Sequence, residues 1–377
     1  MPEVHAKLPA SASPRWIPCP PSALLNLEAG EAPSEYAQQG TDAHTLCEHH
    51  LKQALGVRVR DPTKDLTWYD GEMEMCAQDY AAFVMEQIAE VKKYCKDPTV
   101  LVEQQLDLSD WIPQGFGTAD ALIAGDDLLV ICDYKHGKGV KVEATSPQLK
   151  CYGLGCIAMF DGVYDIQRVR MAIFQPRLAN ISINEMTKEE LLRWGDEVLK
   201  PAAQLAFRGD GALKAGEHCK FCRVKDCRER ARYNLELAQY DFQDPVHLDD
   251  AEIAEILSRI DELTAWATDI KEYALKQALS GKHFDHWKLV EGRSIRRYTD
   301  EKAVAAAVEA AGYDPYEKKI KGITTLTSEL GRKQFNELLG RLVEKPAGKP
   351  TLVPESDKRP ELDIETAKEE FKEDESL

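Results

Sequence analysis

The stretch "GTADALIAGDDLLVICDYKHGKG", residues 117–139, reads as two apolar strands around a tight turn at Gly125-Asp126-Asp127. Gly and Asp tolerate the backbone angles that a short hairpin loop requires. The first strand carries Asp120, and the second ends on Asp133 and Lys135. Side chains two apart on a strand share a face, so Asp133 and Lys135 project together while Tyr134 points away. Hairpin pairing then brings Asp120 beside them. Two converging carboxylates suit Mg²⁺ or Mn²⁺, and an adjacent lysine can orient an attacking water and stabilise charge growing on a phosphate. The competing reading is a charged strand end closed by a surface salt bridge.

Three neighbouring features favour the first reading. Gln148 and Tyr152 lie four apart in the next helix and share a face, so Gln148 can hold the lysine or a phosphate oxygen. His44, in "GTDAH", is a candidate additional metal ligand, although His49 and His50 stand close by. Glu103 interrupts the alternating strand "TVLVEQQLDL" and is a further candidate ligand, or else a residue of the solvent face.

Outward from this hairpin, apolar periodicity predicts a long helix over about 70–94 and strands at "TVLVEQQLDL" and "RVRMAIFQP". Ser146 and Pro147 mark a helix start, and Thr187 with Glu190 forms a capping-box pattern for a helix in which Pro201 sets a kink. The implied class is α/β: a mixed central sheet flanked by helices. The expected organisation is a core over 1–240, a smaller, mainly helical module over 241–345, and a linker with an acidic tail over 346–377, expected to be disordered.

Cys219-x₂-Cys222-x₄-Cys227 supplies three closely spaced thiols, one short of a four-ligand site. Cys19, in the irregular segment "WIPCPPS", is the natural fourth. Zinc on these cysteines, with His218 as an alternative fourth ligand, fits the spacing as well as an iron–sulfur cluster does, and free buried thiols are a third reading. The remaining six of the ten cysteines fall at apolar positions and read as core.

The net charge of −17 at pH 7 argues against a nucleic-acid binder that is basic throughout. It leaves room for an acidic enzyme with one basic groove. Lys220, Arg223, Lys225, Arg228, Arg230 and Arg232 surround the cysteines, while Arg293, Arg296 and Arg297 accompany Trp287 and Tyr298. Either group could grip a DNA backbone or simply form a solvated face. No apolar run reaches the ~18 residues of a membrane span, and the amino terminus lacks a signal pattern, so no membrane association and a cytoplasmic location are expected.

"GTDAH", "GTAD", "DYK" and "QLKCY", in this order and spacing, resemble the PD-(D/E)XK nuclease superfamily and its RecB-like branch. The resemblance covers about residues 11–235. It implies a restriction-endonuclease-like fold and metal-dependent DNA hydrolysis, with exonucleases the commoner type. His44, Asp120 and Asp133 would be Mg²⁺ or Mn²⁺ ligands, Lys135 the catalytic lysine, and Gln148 with Tyr152 the supporting pair. One cysteine before the core and three after it resemble the branch members that carry a [4Fe-4S] cluster, of the AddB and CRISPR-adaptation type. The whole-chain pattern is similar to a nuclease family frequent in phages and prophages. That similarity implies work in DNA replication, recombination or end processing in a bacterial host cell, with a phage recombination or single-strand-binding protein as a candidate partner. A DNA-binding or assembly subunit that kept the fold without catalysis is the alternative.

Overall fold

The computed structural model of the protein describes residues 6–30, 35–236, 248–290, 300–310, 314–316 and 320–343. The chain forms two compact units, 1–282 and 283–377.

The first unit is built on a five-stranded mixed sheet in the order β1 (Thr99–Asp107), β2 (Phe116–Gly125), β3 (Leu128–Tyr134), β4 (Arg168–Gln175), β5 (Asn180–Thr187). All neighbours are antiparallel except β3 and β4. A parallel pair needs a crossover, and the helix Pro147–Met159 supplies it. Every residue of β3 is buried, as its unbroken apolar run requires once both faces of the sheet are covered. The turn joining β2 to β3 places Asp126 in the left-handed region at φ 48°, which Asp accepts more readily than most residues.

Helices α1 (Ser13–Trp16), α2 (Ser22–Glu28), α3 (Glu35–Ala54), α4 (Gly71–Val91) and α5 (Pro147–Met159) surround the first three strands. Residues of α3 and α4 pack with Ala121, Ile123, Val130 and Cys132 on one face of the sheet. The other face, with Leu122, Leu129 and Ile131, packs against α5 and against α6 (Lys188–Trp194) and α7 (Lys200–Arg208). The alternation of side chains along β2 and β3 thus feeds two separate apolar layers.

Side chains cap the starts of α4, α5 and α6. Asp70 accepts from the Met73 amide at the start of α4, and Ser146 accepts from the Gln148 amide with Pro147 in the first turn of α5. Thr187 and Glu190 form a full capping box on α6. The irregularity expected near Pro201 is a π-helical turn, Gly195–Leu199, just before α7.

The first unit ends later than residue 240. Arg230, on α8 (Arg228–Leu235), and Lys225 form ion pairs with α9 (Asp250–Leu279), so α9 belongs with the core. In the second unit the described elements are α10 (Glu301–Ala310), α11 (Ile323–Leu330) and α12 (Arg332–Leu339), which agrees with a mainly helical module. The linker and acidic tail anticipated over 346–377 lie outside the described residues. Among the described residues no helix is long and apolar enough to cross a membrane.

Candidate functional site

The ladder between β2 and β3 runs from Gly125–Leu128 to Ala121–Cys132, and one step beyond it stand Asp120 and Asp133. Here the Tyr134 amide donates to Asp120 Oδ2 at 2.7 Å. The Lys135 amide, one residue on, donates to the Phe174 carbonyl of β4 at 2.9 Å. The strand end is therefore held from both sides. Lys135 Nζ lies 2.8 Å from Asp133 Oδ2 and donates to Gln148 Oε1 at 3.1 Å. Gln148 Nε2 donates to the Tyr152 hydroxyl at 2.9 Å and lies 3.4 Å from Asp133 Oδ1. Gln148 and Tyr152 share one face of α5, and both Asp120 and Asp133 are buried.

His44 reaches the site from α3, with Nδ1 3.4 Å from Asp120 Oδ1. Glu103 faces Asp120 from β1, between the pairs Val102–Ala121 and Gln104–Ala119, and has φ 52°. A glutamate in the left-handed region costs on the order of 1 kcal/mol or more and is found where the surroundings over-determine it. Ligand atoms of His44, Glu103 and Asp120 all lie within 4.8 Å of one another. An octahedral ion with bonds of about 2.1 Å holds neighbouring ligand atoms about 3.0 Å and opposite ones about 4.2 Å apart, inside that limit, and one imidazole with carboxylates suits Mn²⁺ or Mg²⁺. These three residues fit a divalent ion, while Asp133 lies outside the group and pairs with Lys135. His50 does not join them, since its Nε2 lies 3.0 Å from Glu74.

The electrostatics follow from burial and from pairing. Burial alone would lower the pKa of His44, but Asp120 overrides it and raises the value to about 9. Burial raises Asp120, yet the His44 and Lys135 charges and the Tyr134 amide hold it below the usual carboxylate range. Asp133 is pushed up by burial and by Asp120, against the pull of Lys135. Burial disfavours a charged Lys135, and the two aspartates reverse this and hold it as an ammonium. Glu103 is raised to about 7 by burial and the Asp120 charge.

Behind the ligands lies an aromatic layer that sequence reasoning did not single out. The His44 ring meets Tyr134 edge-on at 5.5 Å, the Tyr134 hydroxyl lies 2.8 Å from His136 Nδ1, and Tyr80 donates to the Cys132 carbonyl. Alternation already placed Tyr134 opposite Asp133, which was the available signal.

Cys19, Cys219, Cys222 and Cys227 line one small cavity, together with Arg15 and His218. Cys19 follows α1, and the other three lie on and after a 3₁₀ turn, Glu217–Phe221. Asn26 of α2 donates to Cys222 Sγ at 3.2 Å and accepts from the Arg223 amide at 2.8 Å, joining the amino-terminal segment to the cysteine loop. Burial pushes the Cys219 thiol up to about 11. No three of the four thiols come within 4.8 Å of one another. A single zinc ion needs its sulfurs about 3.8 Å apart, whereas a cluster spreads its thiolates over several irons. The four thiols are donors that either group accepts. The other six cysteines are buried, as core positions should be.

The basic residues divide. Lys225 pairs with Asp269 at 2.9 Å, and the buried Arg230 pairs with Glu262 at 2.6 Å and with Asp269, so both secure α9. Arg223 donates to the Gly30 carbonyl and lines a groove of about 870 Å³, which also reaches Lys135 and Gln148. Six Lys or Arg side chains and two Glu line this groove, a local excess of positive charge in a chain of net charge −17. Arg293, Arg296 and Arg297 lie outside the described residues.

The fold and site define an α/β protein with a buried carboxylate–lysine–glutamine centre and, in the same unit, a four-thiol cavity. The chain belongs to the DUF2800 family, proteins of unknown function, whose profile matches residues 5–360. Among solved structures, "Crystal structure of SSO0001" aligns over 50% of this chain and 96% of its own, at 13% identity and a TM-score of 0.22.

Proposed function

We propose that the protein is a metal-dependent DNA nuclease of the PD-(D/E)XK type, acting as an exonuclease in the cytoplasm of a bacterial host on phage or prophage DNA. The supporting observation is the meeting of Asp120, Asp133 and Lys135 at one strand end, beside His44 and Glu103, at the head of a cationic groove. A divalent ion held by His44, Glu103, Asp120 and Asp133 would supply Lewis-acid stabilisation and a more acidic water.

The chain's own groups do the rest. Lys135, kept as an ammonium by the two aspartates, donates hydrogen bonds and does not take a proton. Its role is to orient the water and to offset the charge that develops on the phosphate oxygens. Gln148 fixes the lysine, and Tyr152 fixes Gln148. Water oxygen bonds to phosphorus as the phosphorus–oxygen bond to the leaving nucleotide breaks; the attacking water gives up a proton to bulk solvent, and the leaving oxygen takes one from it. Cys19, Cys219, Cys222 and Cys227 would hold a [4Fe-4S] cluster that ties the amino-terminal segment to the end of the nuclease core.

The test incubates end-labelled linear and circular DNA, single and double stranded, with the protein and Mn²⁺ or Mg²⁺. Cleavage of the linear forms by the parent, lost in Lys135→Ala, supports the reading. A Lys135→Ala variant as fast as the parent overturns it, and metal-independent DNA binding without cleavage points to a non-catalytic subunit.

A further inference from the structure

The groove that leads from Lys135 ends at the cysteine loop, where Phe221 is 56% exposed on its wall. Phe221 closes the 3₁₀ turn Glu217–Phe221, between Cys219 and Cys222. The Cys222 amide donates to the Cys219 carbonyl at 3.0 Å and the Cys219 amide to the Gly216 carbonyl at 2.9 Å, so the ring stands on a pinned backbone. Lys220 Nζ lies 5.3 Å from the ring centroid, and Arg223 lines the same groove, as does Lys141, which is paired with Glu143 at 2.9 Å. A large aromatic side chain left in water beside a lysine has no role in the core. It offers what an unpaired base needs: a flat apolar face, with positive charge where the adjoining phosphates fall.

The dimensions point the same way. A groove space of about 870 Å³ is of the size that holds a drug-like molecule, room for a few nucleotides. Bases within a duplex are already stacked and cannot lie on Phe221. We propose that the groove carries a single DNA strand, with one base stacked on Phe221 and its phosphates on Lys220 and Arg223, leading toward Lys135. The cysteine loop is then part of the substrate site as well as a staple. This rests on the nuclease reading for the direction toward Lys135, but the binding itself does not.

The test measures binding of fluorescent oligothymidine, and of a duplex of equal length, to full-length Asp133→Asn protein without added divalent ions. Single strands are expected to bind at least about tenfold more tightly, since only they expose bases. Adding Phe221→Ala is expected to weaken single-strand binding about five- to hundredfold, the range measured for one lost base stack, and Phe221→Trp to restore it. Iron and thiol content, unchanged in the Phe221 variants, shows that the loop is intact. Equal affinity for the duplex, or Phe221→Ala binding as well as its parent, overturns the proposal. The two readings fail separately: Phe221-dependent binding with no cleavage by the parent in Mn²⁺ removes the nuclease alone, and Lys135-dependent cleavage with no Phe221 effect on affinity removes the strand path alone.

Discussion

Gln148 holds Lys135 at a fixed distance from Asp133: its Oε1 accepts from Lys135 Nζ at 3.1 Å, while its Nε2 is engaged by the Tyr152 hydroxyl at 2.9 Å. The lysine is thus positioned by a helix and charged by a strand. Misplacing a reacting group by about 1 Å can cost on the order of a hundredfold in rate. Gln148→Ala is therefore expected to lower kcat by about that factor with KM little changed. Single-turnover cleavage assays check this, and an undiminished kcat would remove Gln148 from the mechanism.

The glycine of "GTAD" is explained by the same helix. A Cβ on Gly117 would lie 2.8 Å from Tyr152 Cε1, inside van der Waals contact with a buried ring. Gly117→Ala must displace Tyr152 and, through it, Gln148. Overpacking of this kind costs about 1–3 kcal/mol. Urea unfolding should show that loss together with slowed cleavage, and Gly117→Ala combined with a smaller residue at 152 should recover stability but not rate.

Metal binding is expected to strengthen as pH rises. His44 is raised to about 9 by Asp120 against its burial, and Glu103 to about 7 by burial and Asp120, so below these values both hold protons that the metal must displace. Affinity for Mn²⁺ should climb from pH 6 to pH 9, with proton release on binding. Calorimetry in two buffers of different ionisation enthalpy measures both, and a flat profile argues that His44 and Glu103 stay out of the coordination sphere.

Much of this centre was readable in the residues, and the reasons are local. Asp133, Lys135, Gln148 and Tyr152 are related by strand and helix periodicity, which needs no knowledge of the tertiary fold. Hairpin pairing carried the inference across one turn to Asp120. Glu103 was harder, because an isolated charge in an alternating strand reads equally as solvent face; only the register of β1 against β2 places it opposite Asp120. Strand β5 escaped notice because Ile181 and Ile183 are exposed on a sheet edge and the intervening residues are polar. The long α9 read as part of a separate module, since none of its side chains is buried; what joins it to the core is a set of ion pairs, which periodicity cannot show.

Those ion pairs give a further expectation. Arg230 is 1% exposed and pairs with Glu262 and Asp269. Removing Arg230 takes the partner from Glu262 while Asp269 keeps Lys225, at a cost of about 1–3 kcal/mol. Arg230→Ala should lower the Tm and loosen α9, seen as faster amide exchange over 250–279, whereas Arg232→Ala, on the solvent side, should do neither.

Closing the thiol cavity should stabilise the core. A cross-link between Cys19 and the loop at Cys219 spans about two hundred residues, and the loop-closure value for that length is about 5 kcal/mol. Protein prepared without oxygen is expected to be brown, with four irons per chain, and Cys19→Ser to lose iron and several degrees of Tm. Colourless protein with one zinc per chain would assign the same cysteines to zinc instead.

Anomalous scattering from crystals soaked in Mn²⁺ tests the central claim most directly, because it reads the position of the ion. A manganese peak bonded to both Asp120 and Asp133, with His44 or Glu103 beside it and Lys135 Nζ turned toward its open side, is the expected result. A peak elsewhere, or none at saturating Mn²⁺, contradicts the claim that this strand end is a metal-dependent hydrolytic centre.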